Sequence, residues 1–164
     1  MKPQDVIVRR AVREIIGKQR VAIGPGIPEL VERETLPGTQ LFRLDAAATR
    51  IPVKLAVVEA SEVSQTGDLC LAPGSYEADV QAERWVVVTT QTDSSGNPKI
   101  VRKCRNHVFR PHCVSTIITE KGVIEVTAKG LVLKEIRPGV STDEIKKETA
   151  ASLHIADDIK LMEF

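Results

Sequence analysis

Two short apolar runs limit the folds open to this chain more than any other feature. Leu55–Val58 is apolar throughout, and Trp85–Thr90 is apolar until its last two threonines. A strand with one face in water alternates apolar and polar residues, whereas a strand covered on both faces is apolar along its length. Both runs therefore predict central strands of a sheet that carries other layers on each side.

Helical patterns alternate with these strands. Apolar residues recur at helical spacing over Val8–Ile16, and Gly17 ends the pattern. Val21–Ile23 has the composition of a short strand, the glycine turn Gly24–Gly26 follows it, and Glu29–Glu34 is helical. Strands that alternate with helices predict an α/β fold with an open, mostly parallel sheet and flanking helices.

The C-terminal third has a different pattern. Apolar and polar residues alternate over Gly122–Ile136 on both sides of a turn that contains Gly130, which predicts a β-hairpin. We expect this hairpin at an edge of the sheet. Ser141 and Glu144 form a capping box for a short final helix. Because 164 residues suffice for one domain with its own core, we expect a single domain over residues 1–164.

Composition narrows the functional classes. The chain has 23 Lys and Arg against 22 Asp and Glu, and aromatic residues make up 3% of it. This balance offers neither a basic surface for nucleic acid nor a stacking platform for single strands. No apolar run approaches the ~20 residues that a membrane helix needs, and the N-terminus has no signal-peptide core. We therefore expect a cytoplasmic protein that binds neither nucleic acid nor membranes.

The cysteines predict reduced thiols rather than a disulfide framework, because their number is odd and their spacings are unrelated. They are Cys70, Cys104 and Cys113. Cys104 and Cys113 also enclose His107 and His112 in a Cys-x-x-His-x-x-x-x-His-Cys motif. On residue type alone, these four side chains are zinc ligands.

Several collinear blocks resemble one family of enzymes. The match runs almost without gaps from Trp85 onward, and the glycine turn lies in a block of the family's type, Val21–Pro28. The family is the B-type (β) subunit of class I 3-oxoacid coenzyme A-transferases of the succinyl-CoA:3-ketoacid type, which move coenzyme A between an acyl-CoA and a carboxylate. The other matching blocks are Val63–Leu69, Asn97–Cys104, Cys113–Glu120 and Gly130–Val140.

The resemblance implies a substrate, a partner and a binding site. The substrate would be a CoA thioester, with no further cofactor, and an α-type subunit would complete the active site. Gly24, Pro25 and Gly26 would bind this substrate, because backbone N–H groups at a glycine turn can stabilise the oxyanion of a tetrahedral intermediate. Members of the family carry cysteines at the positions of Cys104 and Cys113 without binding a metal. We therefore expect the two histidines to be loop residues and expect no metal.

The chain departs from the family at the nucleophile. The family's glutamate stands in a Ser-Glu-Asn-Gly segment, which does not occur in this sequence. The chain instead passes from Leu41–Arg50 almost directly to Leu55, so the resemblance implies an internal shortening. The missing motif leaves two candidate nucleophiles, Asp45 and Glu59.

Each candidate has a chemical drawback. Asp45 is one methylene shorter than glutamate, and a displacement of about 1 Å can cost on the order of 10²-fold in rate. Glu59 stands where the family has a glycine, so it would either supply a carboxylate or fill the space of the thioester. The plainer interpretation of both, which we favour, is a solvated acid at a strand end.

Two functions remain open at this level. The chain is either a CoA-transferase B-type subunit that works with a separate α-type subunit, or a non-catalytic binding or assembly protein derived from such a subunit. Loss of an internal block would uncover apolar surface, which soluble monomers rarely expose. We therefore expect a homo-oligomer.

Overall fold

The computed structural model describes residues 1–34, 36–44, 52–72 and 80–164. No helix in these ranges is long and apolar enough to cross a membrane. The helices are α1 (Pro3–Ile15), a 3₁₀ helix (Ile27–Arg33) and α2 (Thr142–Lys147). The strands are β1 (Arg20–Ile23), β2 (Gln40–Arg43), β3 (Val53–Val58), β4 (Glu62–Ser64), β5 (Leu69–Leu71), β6 (Ala82–Val88), β7 (Ile100–Val101), β8 (His107–Arg110), β9 (Val114–Ile118), β10 (Gly122–Thr127), β11 (Gly130–Ile136) and β12 (Leu153–Leu161).

Eight strands form the main sheet, in the order β12-β11-β10-β9-β6-β3-β1-β2. Strands β9, β6, β3, β1 and β2 run parallel, whereas β10 and β11 form an antiparallel hairpin. Ala22 lies opposite Ala56, which in turn lies opposite Trp85. The two strands predicted to be central and the predicted short strand Val21–Ile23 are thus neighbours, and the predicted α/β fold with a mostly parallel sheet is confirmed.

The hairpin β10–β11 is confirmed as an element, but its expected position at the sheet edge is wrong. β12 pairs in parallel with β11, with Leu131 opposite Leu153 and Ile136 opposite Leu161, and it forms the edge itself. The sequence does not predict this strand because Asp157 interrupts its apolar alternation.

Both faces of the main sheet are covered, which explains the apolar runs. On one face, Val86 and Val88 pack into a core built with α1 and the 3₁₀ helix. On the other, Trp85 and Val87 pack into a core shared with α2 and a second sheet of order β7-β4-β5-β8. Successive side chains of a strand point to opposite faces, so β6 supplies both cores from one stretch of sequence.

The expectation of three free thiols is wrong for two of them. Cys70 on β5 and Cys104 after β7 form a disulfide, with their Cα atoms 6.4 Å apart. The two cysteines are 34 residues apart in sequence and meet because β5 and β7 both pair with β4. Cys113 is free and half-buried, and burial raises the pKa of its thiol to about 11.

The disulfide also takes Cys104 out of the Cys/His motif. Among the residues that the structure describes, no group of three or more His, Cys, Asp or Glu side chains is arranged to hold a metal ion. His107 begins β8, whereas the ring Nδ1 of His112 lies 3.2 Å from the carbonyl oxygen of Thr66. His107 thus lies on a strand, whereas His112 lies in the turn before β9.

Candidate active-site cleft

The carboxyl ends of β1 and β3 lie side by side and place the glycine turn next to Glu59. Gly24 continues the pairing past the end of β1, because its N–H donates to the carbonyl oxygen of Val57 over 2.9 Å. Ligands of open α/β sheets bind beyond the carboxyl ends of the strands. The turn and Glu59 therefore occupy the part of the fold where a ligand site is expected.

Glu59 is bound to the glycine turn. The backbone N–H of Ile27 donates to Glu59 Oε2 over 2.8 Å. Gly26 has a φ of +89°, and a Cβ atom added to it would overlap the same oxygen. The left-handed backbone conformation favours glycine at position 26, and a larger residue there would also displace the Glu59 carboxylate.

A cleft of about 380 Å³ opens between the two sheets at this point. The main sheet contributes the glycine turn and the residues that follow β3, and the second sheet contributes the end of β5 and the residue before β7. The lining residues are Pro25, Gly26, Glu59, Ala60, Ser61, Leu71, Ala72 and Lys99. The wall therefore combines a carboxylate, an amine, a hydroxyl and apolar side chains.

The structure brings together three of the five site residues expected from the sequence. Pro25, Gly26 and Glu59 line the cleft, whereas Gly24 is buried and is not among the lining residues. Glu59 is not the freely solvated acid that we favoured, because it is half-buried and holds the Ile27 amide. Asp45 lies outside the described residues.

Lys99 and Ser61 line the cleft but were not singled out from the sequence. Lys99 follows Asn97-Pro98 in one of the matching blocks, and Ser61 stands between two glutamates. No local sequence pattern marks either residue as part of a site, because the two residues reach the cleft from different strand connections. A charged residue immediately before a buried strand was the one available signal for Lys99.

A larger cleft, of about 460 Å³, lies at the opposite end of the same strands. Its wall includes Arg20, Lys54 and Glu83, and the Lys54 ammonium pairs with the Glu83 carboxylate over 2.9 Å. Lys54 and Glu83 thus neutralise each other on the surface. The chemistry of the glycine-turn cleft, with its oriented carboxylate and close backbone N–H group, makes it the better candidate despite its smaller size.

A second carboxylate near the cleft has a structural role. Glu62 is buried, and its oxygens accept hydrogen bonds from Arg105 N at 2.9 Å, Arg105 Nε at 3.0 Å and Asn106 N at 3.3 Å. A buried carboxylate needs several donors to be stable, and these three come from one loop. Glu62 thus fixes the segment that follows β7.

Gln91 is likewise bound within the core. Its Nε2 donates to Thr149 Oγ1 over 3.0 Å, and its Oε1 accepts from Thr119 Oγ1 over 3.0 Å. The neighbouring Thr89 Oγ1 is buried and has no hydrogen-bond partner among the described residues. Gln91 joins the end of β9 to the residues after α2 and is fully buried, so it is not a site for acid–base chemistry.

Two curated proteins that are similar in sequence are coenzyme A transferases. No family model matches the chain. The β chain of a probable coenzyme A transferase of Bacillus subtilis is 35% identical over 113 residues, covering 63% of this chain and 52% of that one. A mitochondrial succinyl-CoA:3-ketoacid coenzyme A transferase of Mus musculus is 34% identical over 143 residues, covering 78% of this chain and 28% of the mouse protein. The chain thus spans about half the Bacillus protein and less of the mouse protein.

A third relative is matched over nearly its whole length. The B-type subunit of a Helicobacter pylori succinyl-CoA:3-ketoacid coenzyme A transferase is 22% identical over 204 positions, which cover 93% of this chain and 99% of the Helicobacter chain. Because 204 positions exceed the 164 residues of this chain, part of the Helicobacter chain has no counterpart here.

Solved structures agree on the fold. An acyl-CoA transferase of Escherichia coli O157:H7 superposes with a TM-score of 0.80 at 17% identity, over 99% of this chain and 43% of the other. The decarboxylase AibA/AibB superposes with a TM-score of 0.73 at 15% identity, over 99% and 89%. A transferase and a decarboxylase therefore share this fold, and the fold alone does not decide the reaction.

Proposed function

We propose that the chain is a B-type coenzyme A-transferase subunit, as its similarity to such subunits suggests, and that it binds CoA or a CoA thioester without transferring CoA through a glutamyl intermediate. One observation carries the second half of this proposal. The Glu59 carboxylate accepts the hydrogen bond of the Ile27 amide at the glycine turn. An N–H group that already binds a carboxylate of its own chain is not available to the oxyanion of a substrate.

The missing nucleophile supports the same conclusion. No Ser-Glu-Asn-Gly segment occurs in the sequence, and the long alignment with the Helicobacter chain is consistent with an internal shortening. Covalent transfer needs one group that is acylated and then carries CoA in turn. Backbone contacts and binding energy do not replace that group.

A second candidate function is CoA transfer through a nucleophile at a different position of the chain. Glu59 lines the cleft beside Ser61 and Lys99, so a carboxylate, although differently placed, does face the space in which a thioester would react. Under this alternative Glu59, or Asp45, would form the anhydride and the enzyme–CoA thioester. We rank it second because Glu59 is held by the Ile27 amide.

The proposal includes a protein partner. B-type chains of this family are named as subunits, and we propose that this chain associates with an α-type subunit, with copies of itself, or with both. If the chain is not catalytic, its function would be to take part in this assembly.

The test is thioester exchange by the purified chain, with and without an α-type subunit, between several acyl-CoAs and short carboxylates. Hydroxylamine and borohydride trapping after incubation with acyl-CoA, followed by peptide mass spectrometry, detects a carboxylate that has been acylated. We expect no turnover and no modified carboxylate. Glu59→Gln is the diagnostic variant, since it keeps the side-chain volume, and Glu29→Gln is its control outside the cleft. Turnover that Glu59→Gln or Asp45→Ala abolishes would overturn the proposal and establish the second candidate.

A further inference from the structure

The disulfide joins one buried cysteine to one that reaches the surface. Cys70 on β5 is fully buried, whereas Cys104 in the loop after β7 is half-buried. A thiolate opens a disulfide by direct attack on one of the two sulfurs, so the reaction needs access to that sulfur. Of the pair, Cys104 is the cysteine that an external thiol can reach in the folded chain.

Cations flank Cys104 on both sides. The loop has the sequence Arg102-Lys103-Cys104-Arg105, and the chain has no Asp or Glu between Ser94 and Thr119. The three basic residues are exposed. Partly exposed cysteines beside Lys or Arg are typically the reactive ones in proteins, because positive charge stabilises the thiolate form. The surroundings of Cys104 are therefore those of a reactive cysteine.

Of these cations, only Arg105 has a carboxylate partner among the described residues. Its Nε lies 3.0 Å from Oε2 of the buried Glu62. Neither Arg102 nor Lys103 takes part in any ion pair within the described part of the chain. Positive charge that is not neutralised raises the local concentration of an anionic reagent. Two charges next to Cys104 can act in this way.

Asp68 lies beside the disulfide, but its carboxylate is already bound. The backbone carbonyl oxygen of Asp68 is 3.7 Å from Cys70 Sγ and 3.9 Å from Cys104 Sγ. Its carboxylate accepts hydrogen bonds from the Ser64 hydroxyl and the backbone N–H of His112, both over 3.0 Å. Part of its negative charge is thus compensated within the fold.

We propose that Cys70–Cys104 is a redox-active disulfide, which an anionic thiol opens by attack on Cys104 Sγ. The attacking thiolate bonds to Cys104 Sγ as the S–S bond breaks, and the electron pair of that bond goes to Cys70 Sγ, which takes up a proton from solvent. A second thiolate then attacks the reagent sulfur of the mixed disulfide and releases Cys104 as a thiolate. The two reagent molecules leave joined as a disulfide, and the protein has gained two electrons.

The fold keeps the two cysteines together after the disulfide opens. β5 and β7 both pair with β4, and Glu62 accepts hydrogen bonds from the backbone N–H groups of Arg105 and Asn106. These contacts are separate from the S–S bond. Groups held side by side react far faster than groups that must meet by diffusion. The oxidised form of the small thiol would therefore close the disulfide again by the reverse steps.

Cys113 provides an internal reference for this reactivity. Burial raises the pKa of its thiol to about 11, so at neutral pH it is almost entirely protonated and is a poor nucleophile. Its Sγ lies 3.6 Å from the carbonyl oxygen of Arg110. We expect Cys113 to remain a free thiol while the disulfide opens and closes.

The experiment measures how fast thiols of different charge open the disulfide in the folded, oxidised full chain. 2-Mercaptoethanesulfonate attacks as a dianion, 2-mercaptoethanol as a monoanion, and cysteamine as a thiolate whose charge its ammonium group cancels. Each rate constant is divided by that of the same thiol with 2-hydroxyethyl disulfide, which removes differences in intrinsic reactivity. Quenching with N-ethylmaleimide and peptide mass spectrometry follow the three cysteines separately.

Two double variants test the role of the cations. The test variant is Arg102→Gln/Lys103→Gln. The control variant is Arg9→Gln/Lys129→Gln, which removes the same number of charges from exposed positions on α1 and in the β10–β11 turn. Thermal melting of each variant establishes that it is folded.

In the parent at low salt, we expect the normalised rate of the sulfonate to exceed that of cysteamine about tenfold, with 2-mercaptoethanol between them. High salt should reduce this ratio, and the test variant should bring it to within about threefold, whereas the control variant should keep the parent value. A ratio near one in the parent, or an unchanged ratio in the test variant, would contradict the role of the cations. A disulfide that opens only after the chain unfolds in urea would be purely structural, and the proposal would be wrong.

Single-cysteine comparisons identify the sulfur that is attacked. Treated with the symmetrical disulfide of 2-mercaptoethanesulfonate, Cys70→Ala should form a mixed disulfide at Cys104, whereas Cys104→Ala should leave the buried Cys70 unmodified. Modification of Cys70 but not of Cys104 would overturn the assignment. If either variant fails to fold, the kinetics of the parent and the charge variants still decide the proposal. None of these measurements involves CoA, so this inference and the proposed function stand or fall separately.

Discussion

The carboxylate of Glu59 lies over the backbone of Gly26, so close that a Cβ atom on Gly26 would overlap Glu59 Oε2. The two residues are 33 positions apart and meet because β1 and β3 are adjacent parallel strands. The glycine turn of this chain is thus occupied by one of its own side chains.

A double-mutant cycle tests this coupling. Gly26→Ala should destabilise the parent by more than the about 1–2 kcal/mol that a left-handed conformation costs a non-glycine residue, because the methyl group also displaces Glu59. In a Glu59→Gly background, the cost should fall to that backbone contribution alone. Urea unfolding of the four proteins measures the coupling, and strictly additive effects would contradict the contact. Amide hydrogen exchange at Ile27, faster in Glu59→Gly than in Glu59→Gln, provides an independent readout.

The disulfide should be the main covalent constraint on the second sheet. Peptide mapping without reduction should find Cys70 joined to Cys104, and reduction should lower the melting temperature. A cross-link that closes a loop of this length contributes about 2–4 kcal/mol in typical cases. Cys113→Ser, which removes the free thiol, is the matched control and should leave the reduction-dependent shift intact. Three thiols reacting at equal rates in the native, unreduced protein would show the pairing to be wrong.

Stability should depend on pH through Glu14. Burial acts to raise its pKa, but hydrogen bonds and charge interactions with Arg84 and Arg10 outweigh burial and hold the pKa below the usual 4.5. A carboxyl whose pKa is lower in the folded state contributes stability above its unfolded pKa and loses it as the pH falls through the folded value. Melting temperatures from pH 6 to pH 3 should therefore fall more steeply for the parent than for Glu14→Gln. Parallel curves would show that Glu14 is not the group responsible.

The Arg10–Glu14–Arg84 group also connects α1 to the main sheet. Arg10 Nη2 lies 2.5 Å from Glu135 Oε2 on β11, and Arg84 Nη1 lies 2.6 Å from Glu14 Oε2. Arg10 is itself buried, and removal of one partner from a buried pair leaves the other charge without compensation. This is why the pH dependence should be visible in global unfolding rather than confined to the end of the helix.

The isolated chain should not sediment as a monomer. A subunit that had lost an internal block and lacked its partner would expose apolar surface that a second copy could cover, and a two-fold dimer would be the simplest closed arrangement. Analytical ultracentrifugation over a range of micromolar concentrations measures the mass. A monomer at every concentration, with no change on addition of an α-type subunit, would contradict both forms of association.

Local patterns were sufficient for the parallel core. The apolar runs of β3 and β6 and the glycine turn after β1 are each encoded within about ten residues, and their order along the chain implies a layered α/β fold. β12 escaped prediction because Asp157 breaks its alternation; this residue is exposed and lies where the register between β12 and β11 shifts.

What only the tertiary structure decided is the set of contacts between residues distant in sequence. The sequence led us to interpret Glu59 as a solvated acid, whereas the pairing of β1 with β3 brings it into contact with the turn at Gly26. No sequence pattern predicted that Cys70 pairs with Cys104. Periodicity and turn chemistry act between near neighbours, so the sequence by itself determined the parallel core strands and the glycine turn and indicated the family resemblance. The closed turn and the disulfide depend on strand pairing that no local pattern specifies.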